Sequence, residues 1–227
     1  DRVHINRVLE NPSLVEQYQI MCIPGGFSYG DDVAAGRIFA NQMRSHLANV
    51  MHEFKNSNKL ILGICNGFQV LIKSGLLLED DANGDPPATL CWNNHGLYED
   101  RWVYLQNNSD QCVFLRGVDR MYLPIAHAEG KFVMRDEVVA DQLQANQQLA
   151  LRYVDASGAP ANGFPENPNG AQRNVAGVCD ESGRVFGLMP HPERFLEGTQ
   201  HPRWTREGLQ AEGDGLTLFR NAVEYFA

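Results

Sequence analysis

The 227-residue chain has no apolar run near the ~20 residues that span a bilayer, and no signal peptide opens it. It also lacks charge blocks, low-complexity tracts and long internal repeats, which argues against a disordered protein or a solenoid. The formal net charge of −9 disfavours nucleic acid and anionic membranes as partners. The length and the 43% of apolar residues allow one large α/β domain or two small ones. Because no domain boundary is visible along the chain, we predict a single domain over residues 1–227.

Cysteine is scarce and does not follow any pairing pattern. The five cysteines are odd in number, widely spaced and without CxxC motifs: Cys22, Cys65, Cys91, Cys112 and Cys179. This usage argues against a disulfide framework or a zinc site and predicts a reducing, cytoplasmic location. We expect most of them, including Cys22, Cys112 and Cys179, to be buried small apolar residues.

Strand and helix patterns alternate in the first part of the chain. Apolar runs predict strands at 19–23, 59–64 and 185–190, and apolar residues at steps of three and four predict helices at 33–55 and 66–75. This alternation predicts a mostly parallel central sheet with helices on both faces.

The middle of the chain differs, because short strands joined by turns replace the alternation. They predict an antiparallel or mixed extension of the sheet, with strands at 101–106, 112–118, 121–127 and 149–154. A loop rich in Pro, Gly and Asn at 156–174 is expected to be ordered. A helix at 215–226, with Asp214 as its N-cap, closes the domain.

A cysteine stands between two glycines where the second predicted strand meets a helix, in the order Gly63-Ile64-Cys65-Asn66-Gly67. This order matches a nucleophile elbow with cysteine in place of serine, and the tight turn requires neighbours without side chains. The helix N-terminus would stabilise a thiolate, and the backbone N–H of Asn66 could donate to an oxyanion. The alternative is a buried structural cysteine beside a packing glycine.

A nucleophilic cysteine needs a base, and His191 between Pro190 and Pro192 is the best candidate. In an extended segment, Glu193 would share a side with His191 and could orient its imidazole. The alternative is a solvated polar loop after a strand.

The glycine loop at Gly25, Gly26 and Phe27 follows the first predicted strand and could present a second oxyanion donor. The alternative is an ordinary glycine turn. A phosphate loop is disfavoured because its lysine and following Ser/Thr are missing.

Taken together, the glycine loop, the cysteine elbow and the HPE segment resemble the class I (triad) glutamine amidotransferase family over nearly the whole chain. The family elbow G-x-C-x-G-x-Q is matched from Gly63 to Gln69. One branch of the family, the glutaminase of phosphoribosylformylglycinamidine synthase, has similar segments at 25–40, 124–132, 167–170 and 189–195.

The resemblance implies a flavodoxin-like class I glutaminase fold and a division of labour with a synthetase. It implies that Cys65 forms a γ-glutamyl thioester with glutamine while His191, held by Glu193, moves the proton. Ammonia would pass to a synthetase partner that uses ATP, Mg and formylglycinamide ribonucleotide, and this chain would need no cofactor or metal. The remaining implied roles are the oxyanion hole at Gly26, Phe27 and Asn66, and glutamine binding by Gly25, Gln69, His127 and Glu129.

Two features depart from the family pattern, and the role of one further region stays open. A first strand and helix are expected to be missing ahead of residues 3–6, and Ala128 stands where the branch usually has glycine. Arg194 and the loop at 167–170 could meet the partner or shape the channel, or the loop could simply satisfy its own backbone. The competing functions are a cysteine hydrolase of peptidase type and a catalytically silent regulatory subunit.

Overall fold

The computed structural model describes residues 1–31 and 33–227 and contains a seven-stranded sheet in the order β1-β2-β9-β8-β7-β4-β5. A separate ribbon pairs β3 with β6. The strands are β1 (Ile20–Ile23), β2 (Leu60–Ile64), β3 (Ala88–Cys91), β4 (Glu99–Asn107), β5 (Arg120–His127), β6 (Lys131–Met134), β7 (Leu151–Val154), β8 (Val175–Cys179) and β9 (Val185–Leu188).

Both predicted parts of the sheet are present, and the antiparallel part is the larger. Parallel pairing joins β1 to β2 and β2 to β9, whereas the other four pairings are antiparallel. A tight turn explains one of the antiparallel pairings. In this turn, Asp180 Oδ1 accepts hydrogen bonds from the N–H groups of Arg184 and Val185. The turn makes β8 and β9 a hairpin, so β8 runs opposite to the parallel strands.

Seven α-helices surround the sheet in the described part of the chain. They are α1 (Ile5–Glu10), α2 (Arg37–Gln42), α3 (Ala48–Asn56), α4 (Asn66–Ser74), α5 (Glu137–Ala145), α6 (Trp204–Glu207) and α7 (Leu216–Glu224). A π-turn at Met43–Leu47 joins α2 to α3. The helix predicted from residue 33 begins at Arg37, because Gly36 has a left-handed φ of 70°.

Helices pack on both faces of the sheet, as predicted. A Cβ at Gly187 would overlap the ring of Phe68 in α4, so this face of β9 lies directly against that helix. The neighbouring Phe186 points to the opposite face and stacks on Phe114 with ring centroids 5.9 Å apart. On that side, Asn221 of α7 donates to the carbonyl oxygen of Phe114 at 2.9 Å.

The strand predicted at 112–118 is wrong, because the chain forms a 3₁₀ turn at Val113–Leu115. Asn221 donates to the carbonyl oxygens of Phe114 and Arg116, so α7 occupies acceptors that a neighbouring strand would use. Strand β8 and helix α5 were not predicted. Asp136 caps α5 by accepting from the N–H of Val139 at 2.9 Å.

Two smaller expectations also need correction. Asp214 does not cap α7, because its carboxylate accepts from the N–H of Tyr122 in β5 at 2.7 Å. Cys22 is exposed, since β1 lies at the edge of the sheet, whereas Cys112 and Cys179 are buried as expected. Within the described ranges, no helix has the length and apolar character needed to cross a membrane.

Candidate active site

Cys65 lies at the junction of β2 and α4 in a conformation that is rare for a residue with a side chain. Its φ of 51° and ψ of −103° are non-helical, and α4 begins at the next residue. Its backbone N–H donates to the carbonyl oxygen of Leu188 at 2.8 Å, which fixes the turn against the end of β9. Its side chain is buried, and Cys65 itself is only 6% exposed.

The two glycines that flank Cys65 are required by close packing, as the sequence predicts. A Cβ at Gly63 would lie 2.7 Å from the carbonyl oxygen of Gly67 and would also collide with Leu71. A Cβ at Gly67 would overlap the carbonyl oxygen of Ile23 in β1. The absence of both side chains therefore lets the start of α4 press against two strands.

His191 and Glu193 form a hydrogen-bonded pair, with 2.6 Å between Nδ1 and Oε1. The backbone N–H of His191 donates to the carbonyl oxygen of Pro124 in β5 at 2.8 Å. The segment is not extended as predicted, because residues Pro192–Arg194 form a 3₁₀ turn. This turn, rather than strand alternation, brings the carboxylate back to the imidazole.

The environment of His191 favours the protonated imidazole. Burial lowers the pKa of His191, but interactions with Cys65 and Glu193 outweigh this effect and raise it to about 9. Nε2 is buried and has no hydrogen-bond partner among the described residues.

The glycine loop after β1 lies beside these groups. A Cβ at Gly25 would lie 2.8 Å from His191 Cε1 and 3.4 Å from Cys65 Cβ, so the backbone of Gly25 packs closely against both side chains. Gly26 has a φ of 125° with no atom within 4 Å of its Cβ direction. Phe27 is 69% exposed, which places its ring at the surface.

A cavity of about 290 Å³ opens beside Cys65, just below the ~300–1,000 Å³ common for small-molecule sites. It brings together seven of the predicted residues: Gly26, Phe27, Cys65, Gln69, His127, Glu129 and His191. Gly25, Asn66 and Glu193 contact these residues but do not line the cavity. Trp92 and Tyr98 also line it, and no sequence motif identified them.

Polar side chains connect the start of α4 to the far wall of the cavity. Asn66 accepts from Ser28 Oγ at 2.7 Å and donates through Nδ2 to Gln69 Oε1 at 3.0 Å. Gln69 Nε2 in turn donates to the carbonyl oxygen of Glu129 at 2.6 Å. The Glu129 carboxylate lies 3.9 Å from Lys73 Nζ, so it forms an ion pair with that lysine at the cavity wall.

His127 is buried in the cavity wall and bonds through Nδ1 to Asn93 Oδ1 at 3.2 Å. Burial, followed by the nearby His191, lowers the pKa of His127 to about 3. Its imidazole is therefore neutral at physiological pH, in contrast to that of His191.

The loop at 167–170 satisfies its own backbone, as one of its two interpretations predicts. Asn167 Oδ1 accepts from the N–H groups of Gly170 and Ala171, and Nδ2 donates to the carbonyl oxygen of Ala171 at 2.9 Å. Arg194 lies 3.9 Å from Asp100. Among the residues that the structure describes, no group of three or more His, Cys, Asp or Glu side chains could hold a metal ion.

Comparison with known proteins gives consistent matches over the whole chain. A family model described as a CobB/CobQ-like glutamine amidotransferase domain matches residues 1–226. Phosphoribosylformylglycinamidine synthase subunit PurQ of Dehalococcoides mccartyi is 49% identical over 99% of this chain and 86% of its own length. The subunit of the same name from Methanococcus maripaludis is 44% identical over 100% of this chain and 87% of its own length.

A solved structure of a related protein has a similar fold. The structure titled PurLQS from Thermotoga maritima is similar with a TM-score of 0.70 and 32% sequence identity. The match covers 93% of this chain and 82% of that chain.

Proposed function

Because the chain belongs to the CobB/CobQ-like glutamine amidotransferase family, we propose that it hydrolyses glutamine and supplies the ammonia to a formylglycinamide ribonucleotide synthetase. Its relatives named as subunits of phosphoribosylformylglycinamidine synthase support this place in purine biosynthesis. The observation that carries the proposal is the placement of Cys65 on a strained turn at a helix N-terminus, beside a histidine bonded to a carboxylate.

In the first step, the thiolate of Cys65 attacks the side-chain amide carbon of glutamine, and a carbon–sulfur bond forms. The helix N-terminus favours this anionic sulfur. His191, with its pKa raised to about 9, carries a proton at neutral pH and gives it to the departing nitrogen. The carbon–nitrogen bond breaks, ammonia leaves and a γ-glutamyl thioester remains.

In the second step, His191 is a neutral base and takes a proton from water. The resulting hydroxide attacks the thioester, the carbon–sulfur bond breaks, and glutamate leaves while Cys65 is restored. Glu193 holds Nδ1 through both steps, so Nε2 stays available for the proton.

We assign the oxyanion hole to the backbone N–H groups of Gly26, Phe27 and Asn66. Two features support this assignment: α4 begins at Asn66 directly after the nucleophile, and Gly26 and Phe27 line the same cavity. Losing one donor of an oxyanion hole costs about 3–4 kcal/mol of transition-state stabilisation in enzymes of this kind.

Glutamine binding is assigned to Gly25, Gln69, His127 and Glu129. The carboxylate of Glu129 at the cavity wall suits the α-ammonium group of the substrate. The absence of a side chain at Gly25 keeps His191 and Cys65 free of a clash beside the substrate amide, and Gln69 fixes the backbone at Glu129.

The synthetase is assigned ATP, Mg and the ribonucleotide substrate. Large exposed side chains at the cavity support docking of such a partner, since Phe27, Trp92 and Tyr98 are 69%, 61% and 51% exposed. All five cysteines are free thiols, which supports the proposed cytoplasmic location. The assembled Cys65–His191–Glu193 group favours an active enzyme over a silent regulatory subunit.

The experiment is a comparison of two nitrogen sources in the complex of this chain with the synthetase. Cys65→Ala should abolish amidation driven by glutamine while sparing amidation driven by added ammonia. Cys91→Ala removes a thiol from β3, outside the cavity, and should retain both activities. If the Cys65→Ala variant lost amidation equally with glutamine and with added ammonia, the proposal of separate sites for glutamine hydrolysis and for amidation would be contradicted.

A further inference from the structure

Two unpartnered ring nitrogens belong to histidines that line the same cavity. Among the described residues, five buried side-chain nitrogen or oxygen atoms lack a hydrogen-bond partner, and two of them are Nε2 of His127 and Nε2 of His191. Both residues line the cavity beside Cys65. A buried polar atom without a partner is costly, so each of these nitrogens requires an explanation. The proton transfer described above explains His191 but leaves His127 unexplained.

Asn93 determines which nitrogen of His127 carries the proton. Its Nδ2 group donates to the carbonyl oxygens of Leu97 and His127, both at 2.9 Å, and this fixes the orientation of the amide. Asn93 Oδ1 must therefore accept, and it receives the N–H of Gly130 and Nδ1 of His127, each at 3.2 Å. Nδ1 of His127 is then the protonated nitrogen, and Nε2 carries a lone pair.

The imidazole cannot easily turn to exchange these roles. A Cβ at Gly130 would overlap the His127 ring, so the backbone of this glycine packs directly against the imidazole. His127 is 3% exposed, and Asn93 is 2% exposed. The wall of the cavity that Cys65 also lines therefore holds a fixed, uncharged acceptor nitrogen.

On the basis of the proposed function, we propose that His127 accepts a hydrogen bond from the carboxamide NH₂ group of glutamine and thereby selects glutamine over glutamate. The γ-carboxylate of glutamate has no hydrogen to donate at neutral pH and would face the lone pair of Nε2. A site built around a hydrogen bond to a substrate NH strongly rejects an analogue that lacks it. Asn93 is the positioning residue, because it fixes the tautomer on which this selection depends.

The charges in the cavity favour the carboxamide over the α-ammonium group as the donor. The ammonium group is a cation, and the carboxylate of Glu129 offers it a stronger, charge-assisted partner. His127 lies close enough to His191 for the two rings to interact electrostatically, and His191 serves the amide nitrogen. His127 only accepts a hydrogen bond, so it transfers no proton and leaves the released ammonia uncharged.

Nitrogen NMR of the imidazole rings tests the proposal without a change at His127. The Cys65→Ser variant is used to slow turnover while ligands are titrated. The unbound protein should show His127 Nε2 as an unprotonated nitrogen, and glutamine should shift this signal toward the hydrogen-bonded range whereas glutamate should not. A protonated Nε2, or glutamine binding with no shift, would overturn the proposal. Failure of glutamine to bind, with or without the synthetase, would count against the proposed function itself.

Binding measurements on a second variant give an independent test. His127→Asn places an amide where it can still donate to Asn93 Oδ1 but removes the lone pair at the Nε2 position. In the same Cys65→Ser background, the ratio of the glutamate Kd to the glutamine Kd should fall about 10-fold or more. His201→Asn is the matched control, because His201 is a buried histidine outside the cavity, and it should leave this ratio unchanged. An unchanged ratio in a folded His127→Asn protein would overturn the proposal.

Discussion

Replacing Gly25 by alanine should misplace the catalytic imidazole without removing any reacting group. The new Cβ would lie 2.8 Å from His191 Cε1, whereas carbon atoms in contact usually lie about 3.5–4.0 Å apart. The ring must therefore retreat by about 1 Å. A displacement of this size at a reacting group costs about 10²-fold in rate, so we expect kcat to fall about 100-fold.

The ring has little freedom to absorb the displacement elsewhere. Its Nδ1 atom is held at 2.6 Å by Glu193, and its backbone N–H is held at 2.8 Å by Pro124. Prolines on both sides of His191 also restrict the backbone. The alanine is therefore expected to weaken the approach of His191 to the substrate rather than to shift a flexible loop.

The assay measures glutamine hydrolysis by the complex with the synthetase, together with thermal unfolding of the chain. Gly84→Ala is the control for the rate, because its added methyl group would meet no atom within 4 Å and lies in a turn outside the cavity. The φ of 83° at Gly84 makes the alanine cost about 1–2 kcal/mol of stability, which the thermal unfolding measures separately. The control should retain the wild-type rate. A folded Gly25→Ala protein with wild-type kcat would refute the assigned geometry.

Four further predictions concern the His191–Glu193 pair and the loop at 167–170. Glu193→Gln should lower kcat at least ~10-fold and bring the pKa of His191 down from about 9, which NMR titration of the ring would measure. For the wild-type protein, kcat/KM should fall as the pH rises through about 9, because His191 loses the proton that the leaving nitrogen needs; a rate that keeps rising would contradict this role. The raised pKa also stabilises the fold fully below about pH 6.5, and this contribution should be lost as the pH rises through about 9. Asn167→Ala should lower the free energy of unfolding by about 1–3 kcal/mol in a denaturant titration, because the N–H of Gly170 loses its acceptor and the bonds from Asn167 Nδ2 to Ala171 and Asn174 are lost, while glutamine hydrolysis persists.

The sequence was informative where a local pattern carries the structure. Continuous apolar runs identified β1, β2 and β9. Apolar residues at steps of three and four identified α4 and most of the segment from α2 to α3. The pattern failed at 112–118, where apolar residues are buried by α7 rather than by a neighbouring strand. Contacts distant in sequence decide such a segment, so its composition alone could not.

The same distinction applies to the candidate site. Cys65, His191 and Glu193 were recognisable because each belongs to a short motif with a mechanical reason for its neighbours. Asn93 belongs to no such motif, and its influence on His127 spans 34 positions in the chain. Trp92 was missed for the same reason, since its position at the cavity depends on how β3 packs beside α4.

The most direct test of the account is covalent labelling with an electrophilic glutamine analogue, followed by peptide mass mapping. We expect a single adduct on Cys65 that excess glutamine blocks and that the His191→Ala variant loses. Absence of an adduct on Cys65, even with the synthetase and its substrates present, would contradict the central claim that this cysteine is the glutamine nucleophile.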